Sequence, residues 1–281
     1  MSAAGPLNSR GETPVLLRHQ EGPWVGAGGR AIADLGLAQG RVIARDRRLP
    51  AIAMRAEWIG HAAWLIEGND KIAIDPFITS NPKTERKAAS VRCDIIVVTH
   101  GHSDHFGDTI EIAKKNGATV VAIHEIAVYC EQQGVKAEGM NKGGSIKVKN
   151  STIRLVEAVH SSGLAGPKGS VIPGGSSCGA IIESGKTVYH AGDTALFSDM
   201  KLIGQLYRPH VALLPTGDRY TMGPKEASWA AGFVDAPLTV PMHYGTFPII
   251  DTDPFEFQEH CKKRGLKGEV TILNPGERIT L

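Results

Sequence analysis

The chain has 281 residues, of which 42% are hydrophobic and 21% are charged. This length suits one large α/β domain, and the apolar fraction is sufficient for a sizeable core. A run of about 18 apolar residues, the length needed to cross a membrane, does not occur in the sequence. The formal charge is +3 for residues 1–53 and −1 for residues 54–281, so residues 54–281 show none of the basic excess typical of a nucleic-acid-binding surface.

The cysteines indicate a reducing compartment. The chain has four of them, and none forms a CxxC pair. Residues 1–30 also lack the continuous apolar segment of a secretory signal. We therefore expect reduced thiols in a cytoplasmic protein. The alternative for one of them, Cys178, is a role as a metal ligand.

Residues 1–53 differ in composition from the rest of the chain. They contain seven arginines and no lysine, whereas residues 54–281 contain eight arginines and 16 lysines. They show no strong periodicity, and a clear strand pattern begins directly after Met54. Three hypotheses fit: a misassigned start with Met54 as the true one, a targeting peptide, or an arm that packs on the remainder. The first is favoured, so we expect a disordered or misassigned extension over 1–53 and one folded domain over 54–281.

The first half of that domain predicts strands followed by alternating strands and helices. A break at Gly60-His61 separates strands over 57–59 and 63–66, and the run over 94–99 has the β-branched composition of a buried strand. Asp108 is the predicted N-cap of a helix over 107–116, and Gly117 is its C′ residue. Further predicted elements are strands over 71–74 and 119–123, a helix over 125–133, and a hairpin of 145–148 with 152–159.

The second half predicts a hairpin followed by alternating helices and strands. The hairpin pairs 180–183 with 187–190. Ser198 is the predicted cap of the next helix, and Pro224 suits the first turn of another. The predicted helices span 198–207, 224–233 and 254–263, and the strands span 211–214, 238–241 and 270–273. Mixed strands with helices on the outside indicate a layered α/β domain.

The segment from Thr99 to His105 carries the strongest chemical signal. It reads Thr-His-Gly-His-Ser-Asp-His, so four potential metal ligands fall within six residues directly after a buried strand. These four are His100, His102, Asp104 and His105. Imidazole suits zinc, iron and similar metals, and a carboxylate adds charge and a hard oxygen ligand. Three of the 11 histidines of the chain lie here, which argues against a chance polar loop.

Three further candidate ligands follow other predicted strands. His160 follows the strand over 152–159, Asp193 follows 187–190, and His243 follows 238–241. Each alone would more often be an ordinary polar residue at a strand end. Because catalytic sites assemble from several loops at strand ends, their coincidence with the first segment makes them candidate ligands of the same site.

Over residues 55–281 the HxHxDH motif with the later His, Asp and His resembles the metallo-β-lactamase superfamily. More narrowly, the chain resembles the uncharacterised-protein-family-173 metal-dependent hydrolases, which are related to the ascorbate-lactone hydrolase branch. Proteins of that family begin close to position 54, and they have asparagine where this chain has Gly245. The matching stretches are Trp58-Ile59-Gly60-His61-Ala62, Ile74-Asp75-Pro76-Phe77, His160-Ser161-Ser162-Gly163, His190-Ala191-Gly192-Asp193-Thr194, Gly217-Asp218-Arg219-Tyr220-Thr221-Met222-Gly223-Pro224 and His243-Tyr244-Gly245-Thr246-Phe247-Pro248.

The resemblance implies an αββα sandwich with a two-metal site at one edge. It assigns His100, His102 and His160 to the first metal ion. It assigns Asp104, His105 and His243 to the second, with Asp193 between the two. Zinc is the expected metal, with manganese, iron and nickel as alternatives. The expected nucleophile is a metal-bound hydroxide, because two divalent ions lower the pKa of a bound water.

Other polar residues near these motifs have weaker assignments. His61 is a candidate proton donor, and with Asp104 it completes the predicted catalytic pair; the alternative is a structural histidine. His190 is expected in the core or behind a ligand. Asp75 could hydrogen-bond a metal-bound histidine. Tyr244 could donate to an oxyanion or could only pack.

The favoured function is hydrolysis of a small ester, lactone or related bond. A phosphodiesterase or nuclease on the same fold is the alternative, because the fold alone does not decide the chemistry. A non-catalytic metal-binding protein is disfavoured, since all seven candidate ligands are present. We expect a small-molecule substrate, no nucleic-acid or membrane partner, and a chain that could form a homo-oligomer.

Overall fold

Two seven-stranded sheets form the centre of the structure. A computed structural model describes residues 53–281, so the expectations for 1–52 lie outside the described residues. The two sheets pack against each other, and helices pack on them, as the predicted αββα sandwich requires. The predicted fold class is therefore confirmed.

The first sheet places one group of candidate ligands at a strand edge. Its parallel strands β3 (Lys71–Ile74), β4 (Ile95–Val97) and β5 (Thr119–Ile123) end at the same side, and Asp75 and the segment from His100 follow β3 and β4. In spatial order the sheet contains β16 (Arg278–Thr280), β1 (Arg55–Gly60), β2 (Ala63–Glu67), β3 (Lys71–Ile74), β4 (Ile95–Val97), β5 (Thr119–Ile123) and β6 (Ala137–Met140).

The second sheet brings the remaining candidates to the same region. Asp193 follows β12, and His243 comes directly after β14, which belongs to the parallel part of this sheet. In spatial order the sheet contains β15 (Glu269–Val270), β14 (Leu238–Met242), β13 (Val211–Pro215), β12 (Lys186–His190), β11 (Cys178–Ser184), β8 (Ser151–Glu157) and β7 (Ser145–Val148). A separate small sheet pairs β9 (Gly163–Ala165) with β10 (Val171–Pro173).

Alternating side chains of the second sheet belong to two different apolar clusters, one on each face of the sheet. Ile182 and Leu213 face the first sheet, where they pack with residues such as Trp58 and Ile96. Ile181, one position away from Ile182, packs with the helices on the other side of the sheet. This period of two is the expected consequence of a pleated strand buried on both faces.

The helices are short. Among residues 53–281 the longest has 11 residues, and no helix described there is long and apolar enough to span a bilayer. Their bounds are α1 (Ser103–Phe106), α2 (Thr109–Asn116), α3 (His124–Gln132), α4 (Met200–Tyr207), α5 (Pro224–Val234) and α6 (Pro254–Lys263).

The structure corrects the predicted elements in several places. The strands β6, β9, β10 and β16 were not predicted, and the final strand is β16 rather than 270–273. Asp199, not Ser198, precedes the first residue of α4. Asp108 precedes α2 but makes no cap bond, because its carboxylate instead accepts the backbone N–H groups of Ile78 and Thr79, each at 2.9 Å.

Candidate metal centre

The segment that carries the HxHxDH motif leaves the sheet and enters a single helical turn. His102 has extended backbone dihedrals, and α1 begins at the next residue. The Thr99 carbonyl before it accepts the backbone N–H of Cys178 at 3.0 Å, which ties the segment to the second sheet. Because the backbone of this segment is extended at first and then forms one helical turn, its neighbouring side chains point to two different groups.

The first group, which we call the outer cluster, contains His100, His102 and His160. The Nε2 atom of His100 lies 2.9 Å from Nδ1 of His102, and Nε2 of His160 lies 3.3 Å from the same atom. His100 is fully buried, whereas His102 and His160 are partly exposed. Three imidazole nitrogens this close together can serve one metal ion.

The second group, which we call the inner cluster, contains His61, Asp104, His105 and His243. The rings of His61 and His243 have centroids 3.9 Å apart. Nε2 of His61 lies 3.1 Å from Oδ2 of Asp104. The three histidines are buried, and the side chain of Asp104 is 31% exposed. The sequence assigned three of these four residues to a metal and assigned His61 to proton transfer.

Asp193 lies between the two clusters. Its Oδ2 atom is 3.0 Å from Nε2 of His243, 3.6 Å from Nε2 of His160 and 4.0 Å from Nε2 of His100. Its Oδ1 atom is 3.3 Å from Nε2 of His105. One buried carboxylate thus faces imidazoles of both clusters, in the place that the resemblance gives to a shared ligand.

Several of these polar atoms are buried without a hydrogen bond of acceptable geometry among residues 53–281, although Nε2 of His105 and Nε2 of His243 lie close to Asp193. They are Nε2 of His105, both ring nitrogens of His243 and Oδ1 of Asp193. Leaving such atoms unpaired is costly. A divalent cation between these nitrogen and oxygen atoms would satisfy most of them, so the donor set fits a metal.

Asp75 orients two of the histidines. Its Oδ2 atom accepts from the Thr99 hydroxyl at 2.6 Å and lies 2.8 Å from Nδ1 of His105. Because the Thr99 hydroxyl donates to Asp75, its oxygen accepts from Nδ1 of His100, 3.0 Å away. In both histidines the proton therefore sits on Nδ1, which leaves the Nε2 lone pairs for a metal.

His61 is held in the same manner from another side. An ionised Asp104 can only accept, so Nε2 of His61 donates to it and Nδ1 accepts from the Thr246 hydroxyl at 2.9 Å. Burial, followed by the nearby His243, lowers the pKa of His61 to about 4. The neutral His61 side chain is fully buried and does not itself line the cavity. It can act there only through its hydrogen bond with Asp104.

The turn that contains His61 also joins the two sheets. The His61 carbonyl accepts the Trp58 indole N–H at 2.9 Å and the backbone N–H of His243 at 3.0 Å. Nε2 of His190 donates to the Ala62 carbonyl at 3.0 Å, and its Nδ1 accepts the backbone N–H of Gly192. His190 therefore positions the loop that precedes Asp193. The sequence did not predict the role of Thr246, since a single threonine in the loop after β14 carries no specific signal.

The electrostatics suit cation binding. Burial and neighbouring imidazoles hold the pKa values of His100, His102 and His160 below the ordinary value, which favours the neutral ligand form. Burial alone would raise the pKa of Asp193, but His105 and His243 outweigh it and hold that pKa well below its usual range.

His105 is the exception among the histidines. Burial would lower its pKa, yet the carboxylates of Asp193 and Asp75 outweigh burial and hold it well above the ordinary value. A metal ion would replace the proton on Nε2, the nitrogen that faces Asp193, while the Nδ1 proton would stay with Asp75.

Other predicted or suspected residues lie outside both clusters. The Cys178 thiol is buried against the Thr99 carbonyl at 3.0 Å, where burial raises its pKa, so it is not one of the grouped metal donors. The Tyr244 hydroxyl donates to the Leu273 carbonyl at 3.4 Å, which favours packing. Gly245 has φ +65°, a conformation that both glycine and the family's asparagine adopt readily.

Comparison with known proteins identifies close relatives. A family model described as "Beta-lactamase superfamily domain" matches residues 70–244. A UPF0173 metal-dependent hydrolase from Methanopyrus kandleri is 50% identical over 227 residues, which cover 80% of this chain and 98% of that protein. A UPF0173 metal-dependent hydrolase from Methanosarcina mazei is 47% identical over 229 residues, which cover 81% and 99%.

Solved structures show the same architecture. Igni18, described as a novel metallo hydrolase from Ignicoccus hospitalis, matches with a TM-score of 0.72 at 40% identity, covering 82% of this chain and 98% of that one. The metallo-β-lactamase fold protein YhfI from Bacillus subtilis matches with a TM-score of 0.61 over 82% of this chain and all of that one. Its identity is 14%, so this second likeness concerns the fold alone.

Proposed function

The chain belongs to the UPF0173 metal-dependent hydrolases of the β-lactamase superfamily, and we propose that it hydrolyses a small ester, lactone or related substrate at a centre of two divalent metal ions. Membership confirms the resemblance and the prediction of a metal-dependent hydrolase. The number of metal ions, zinc as the metal, and the substrate class are the proposal.

The observation that carries the proposal is the arrangement of donors around Asp193. Two groups of side chains approach this one buried carboxylate, and several of their atoms make no well-directed hydrogen bond in the described residues. An ordinary buried polar network would pair its donors and acceptors with each other. Two groups that share a carboxylate favour two ions over one.

The outer cluster would hold the first ion, and Asp104, His105 and His243 of the inner cluster would hold the second. Asp193 would contribute to both. Imidazole and carboxylate ligands suit zinc, and they also suit manganese, iron and nickel. Bound divalent ions would polarise the scissile bond and lower the pKa of a water nucleophile.

Asp104 lines a cavity. Its Oδ2 atom is engaged by His61, and its Oδ1 atom would accept a hydrogen bond from the attacking water. His61 would hold the carboxylate in this orientation, so its predicted role as a direct proton donor becomes a role through Asp104. A buried, hydrogen-bonded imidazole is suited to positioning.

Replacement of Asp104 tests the proposal. Metal analysis of the purified protein should find two equivalents, zinc foremost, and a panel of lactones, thioesters and phosphodiesters should identify the bond that is cleaved. Asp104→Ala should lower hydrolysis by about 100-fold or more and leave the far-UV circular dichroism spectrum unchanged.

Asp199→Ala is the matched control. Asp199 is an exposed carboxylate directly before α4, and it belongs to neither cluster. This control should hydrolyse the panel like the wild type. Wild-type-like turnover in Asp104→Ala would contradict the mechanism. Turnover confined to phosphodiesters would replace the proposed substrate class with the phosphodiesterase alternative.

A further inference from the structure

A cavity of about 550 Å³ opens beside Asp104. Two aromatic side chains, Phe77 and Phe247, form its apolar part, and the hydroxyl residues Thr79, Ser80 and Ser103 contribute to its lining. We refer to it as the Phe77–Phe247 pocket. Its size lies within the range of roughly 300–1,000 Å³ that is typical of small-molecule sites.

The two rings connect this pocket to the inner cluster. Their centroids are 6.4 Å apart. Each ring also meets the His61 ring edge-on, Phe77 at 5.7 Å and Phe247 at 5.8 Å between centroids. Because His61 hydrogen-bonds Asp104, the apolar wall begins one side chain away from the proposed site of hydrolysis.

The wall formed by Phe77 is pre-organised. The Asp108 carboxylate accepts the N–H groups of Ile78 and Thr79, and the Asp108 N–H donates to the Pro76 carbonyl at 3.0 Å. Gly107 has φ +42°, and a Cβ atom there would lie 2.7 Å from the Phe77 Cα atom. Only glycine allows this close approach, and a preformed wall costs little entropy when a ligand binds.

The charges of the lining select against an anion. No lysine, arginine or histidine lines the pocket, and its two ionisable residues are Asp104 and Asp108. The charge of Asp108 is compensated by two backbone N–H groups, and that of Asp104 is directed at His61. An anionic group would find no basic side chain to pair with, and a cationic group would meet carboxylates that His61 and backbone N–H groups already engage. An uncharged apolar group would gain contact with both rings.

We infer that the Phe77–Phe247 pocket binds an uncharged aromatic or alkyl group of the substrate, adjacent to the bond that is cleaved. This inference rests on the proposed hydrolase function and makes its substrate more specific. It places the acyl or alkyl part of a hydrophobic ester or lactone against the two rings. It disfavours substrates that carry a carboxylate or phosphate on that part.

A matched series of lactones tests the inference in the metal-loaded enzyme. The series contains one five-membered lactone without a substituent, the same lactone with a phenyl group, and the same with a carboxyphenyl group. The phenyl group should raise kcat/KM by about tenfold or more, and the added carboxylate should abolish that gain. Phe247→Ala should remove most of the phenyl preference, whereas Phe255→Ala, which changes an exposed phenylalanine on α6, should leave it intact.

Direct binding separates failure of the inference from failure of the function. Calorimetric titration with N-benzylacetamide, which is uncharged, should show binding to the wild type that is weakened about tenfold in Phe247→Ala and unchanged in Phe255→Ala. If this holds while no lactone or ester is hydrolysed, the proposed function fails and the pocket assignment stands. Hydrolysis without phenyl preference, equal binding of N-benzylacetamide to the wild type and Phe247→Ala, or faster hydrolysis of the carboxyphenyl lactone than of the phenyl lactone would overturn the pocket assignment.

Discussion

The outer and inner clusters have similar ligands but different surroundings. In the inner cluster, His105 is braced by Asp75 at 2.8 Å and His61 by Thr246 at 2.9 Å, and the histidines are buried. In the outer cluster, His100 is buried and braced by Thr99, whereas His102 and His160 are partly exposed. Apart from the histidines of its own cluster, the hydrogen-bond partner of the His102 ring among the described residues is the Ser161 hydroxyl, at 3.5 Å.

This difference separates two tasks. A buried ligand with a fixed tautomer is oriented before a metal binds, as His105 is in the inner cluster and His100 is in the outer one, and such a donor gains affinity from pre-organisation. The partly exposed outer donors can adjust their positions at lower cost. We expect the inner cluster to hold its metal more tightly, and the outer cluster to exchange its metal more readily. Because Asp193 contacts both clusters, it does not contribute to this difference in metal affinity.

The largest effect is expected from Asp193→Ala, which should remove the distinction between the clusters altogether. Both would lose their shared carboxylate, and the buried imidazoles would lose the charge that compensates a cation. Metal content should fall below one equivalent, and kcat/KM should fall by about 1,000-fold or more, which corresponds to several kcal/mol of lost stabilisation. Elemental analysis and steady-state kinetics measure these quantities. Retention of two equivalents of metal would show that the carboxylate is not shared.

A smaller effect should come from the residues behind the ligands, and it should differ between the clusters. Asp75→Asn keeps the size of the side chain but weakens the acceptor for His105 and Thr99. It should lower metal affinity by about 10–100-fold. Ser161 lies beside His102 of the outer cluster. Ser161→Ala should change metal affinity by less than about threefold, because the contact between Ser161 and His102 is long and exposed. Competition with a chelator measures both, and equal effects would mean that bracing does not distinguish the clusters.

The smallest effect is expected from removing residues 1–53. Neither cluster uses a residue before position 54, and the Met54 side chain is fully buried while its carbonyl accepts the Leu281 N–H at 2.9 Å. A protein that starts at Met54 should keep its metal content and melt within a few degrees of the full chain. If apolar residues such as Ile32 and Leu35 docked on the domain, each would contribute roughly 1.5–3 kcal/mol before entropy. A melting temperature lower by many degrees would show that residues 1–53 stabilise the domain.

Much of the fold was predictable because its signals are local. The strand over 71–74 and the helix over 254–263 were predicted with the bounds that the structure shows. The elements that were missed are short and depend on distant partners. β16, for example, is a three-residue strand whose pairing with β1 spans more than 200 residues of chain. Strand formation of this kind depends on tertiary context more than on intrinsic preference.

The candidate site divides in the same way. By itself the sequence determined which residue types are available and where ligands follow strands, since four of them occur within the segment from His100 to His105. Only the tertiary structure decided the arrangement of their protons and partners. Asp108 had the sequence context of a helix cap, yet its carboxylate holds the Phe77 wall instead. Phe77 and Phe247 lie 170 positions apart and meet across His61 because two sheets bring their loops together, and a contact made by packing over such a distance leaves no periodic pattern in either segment.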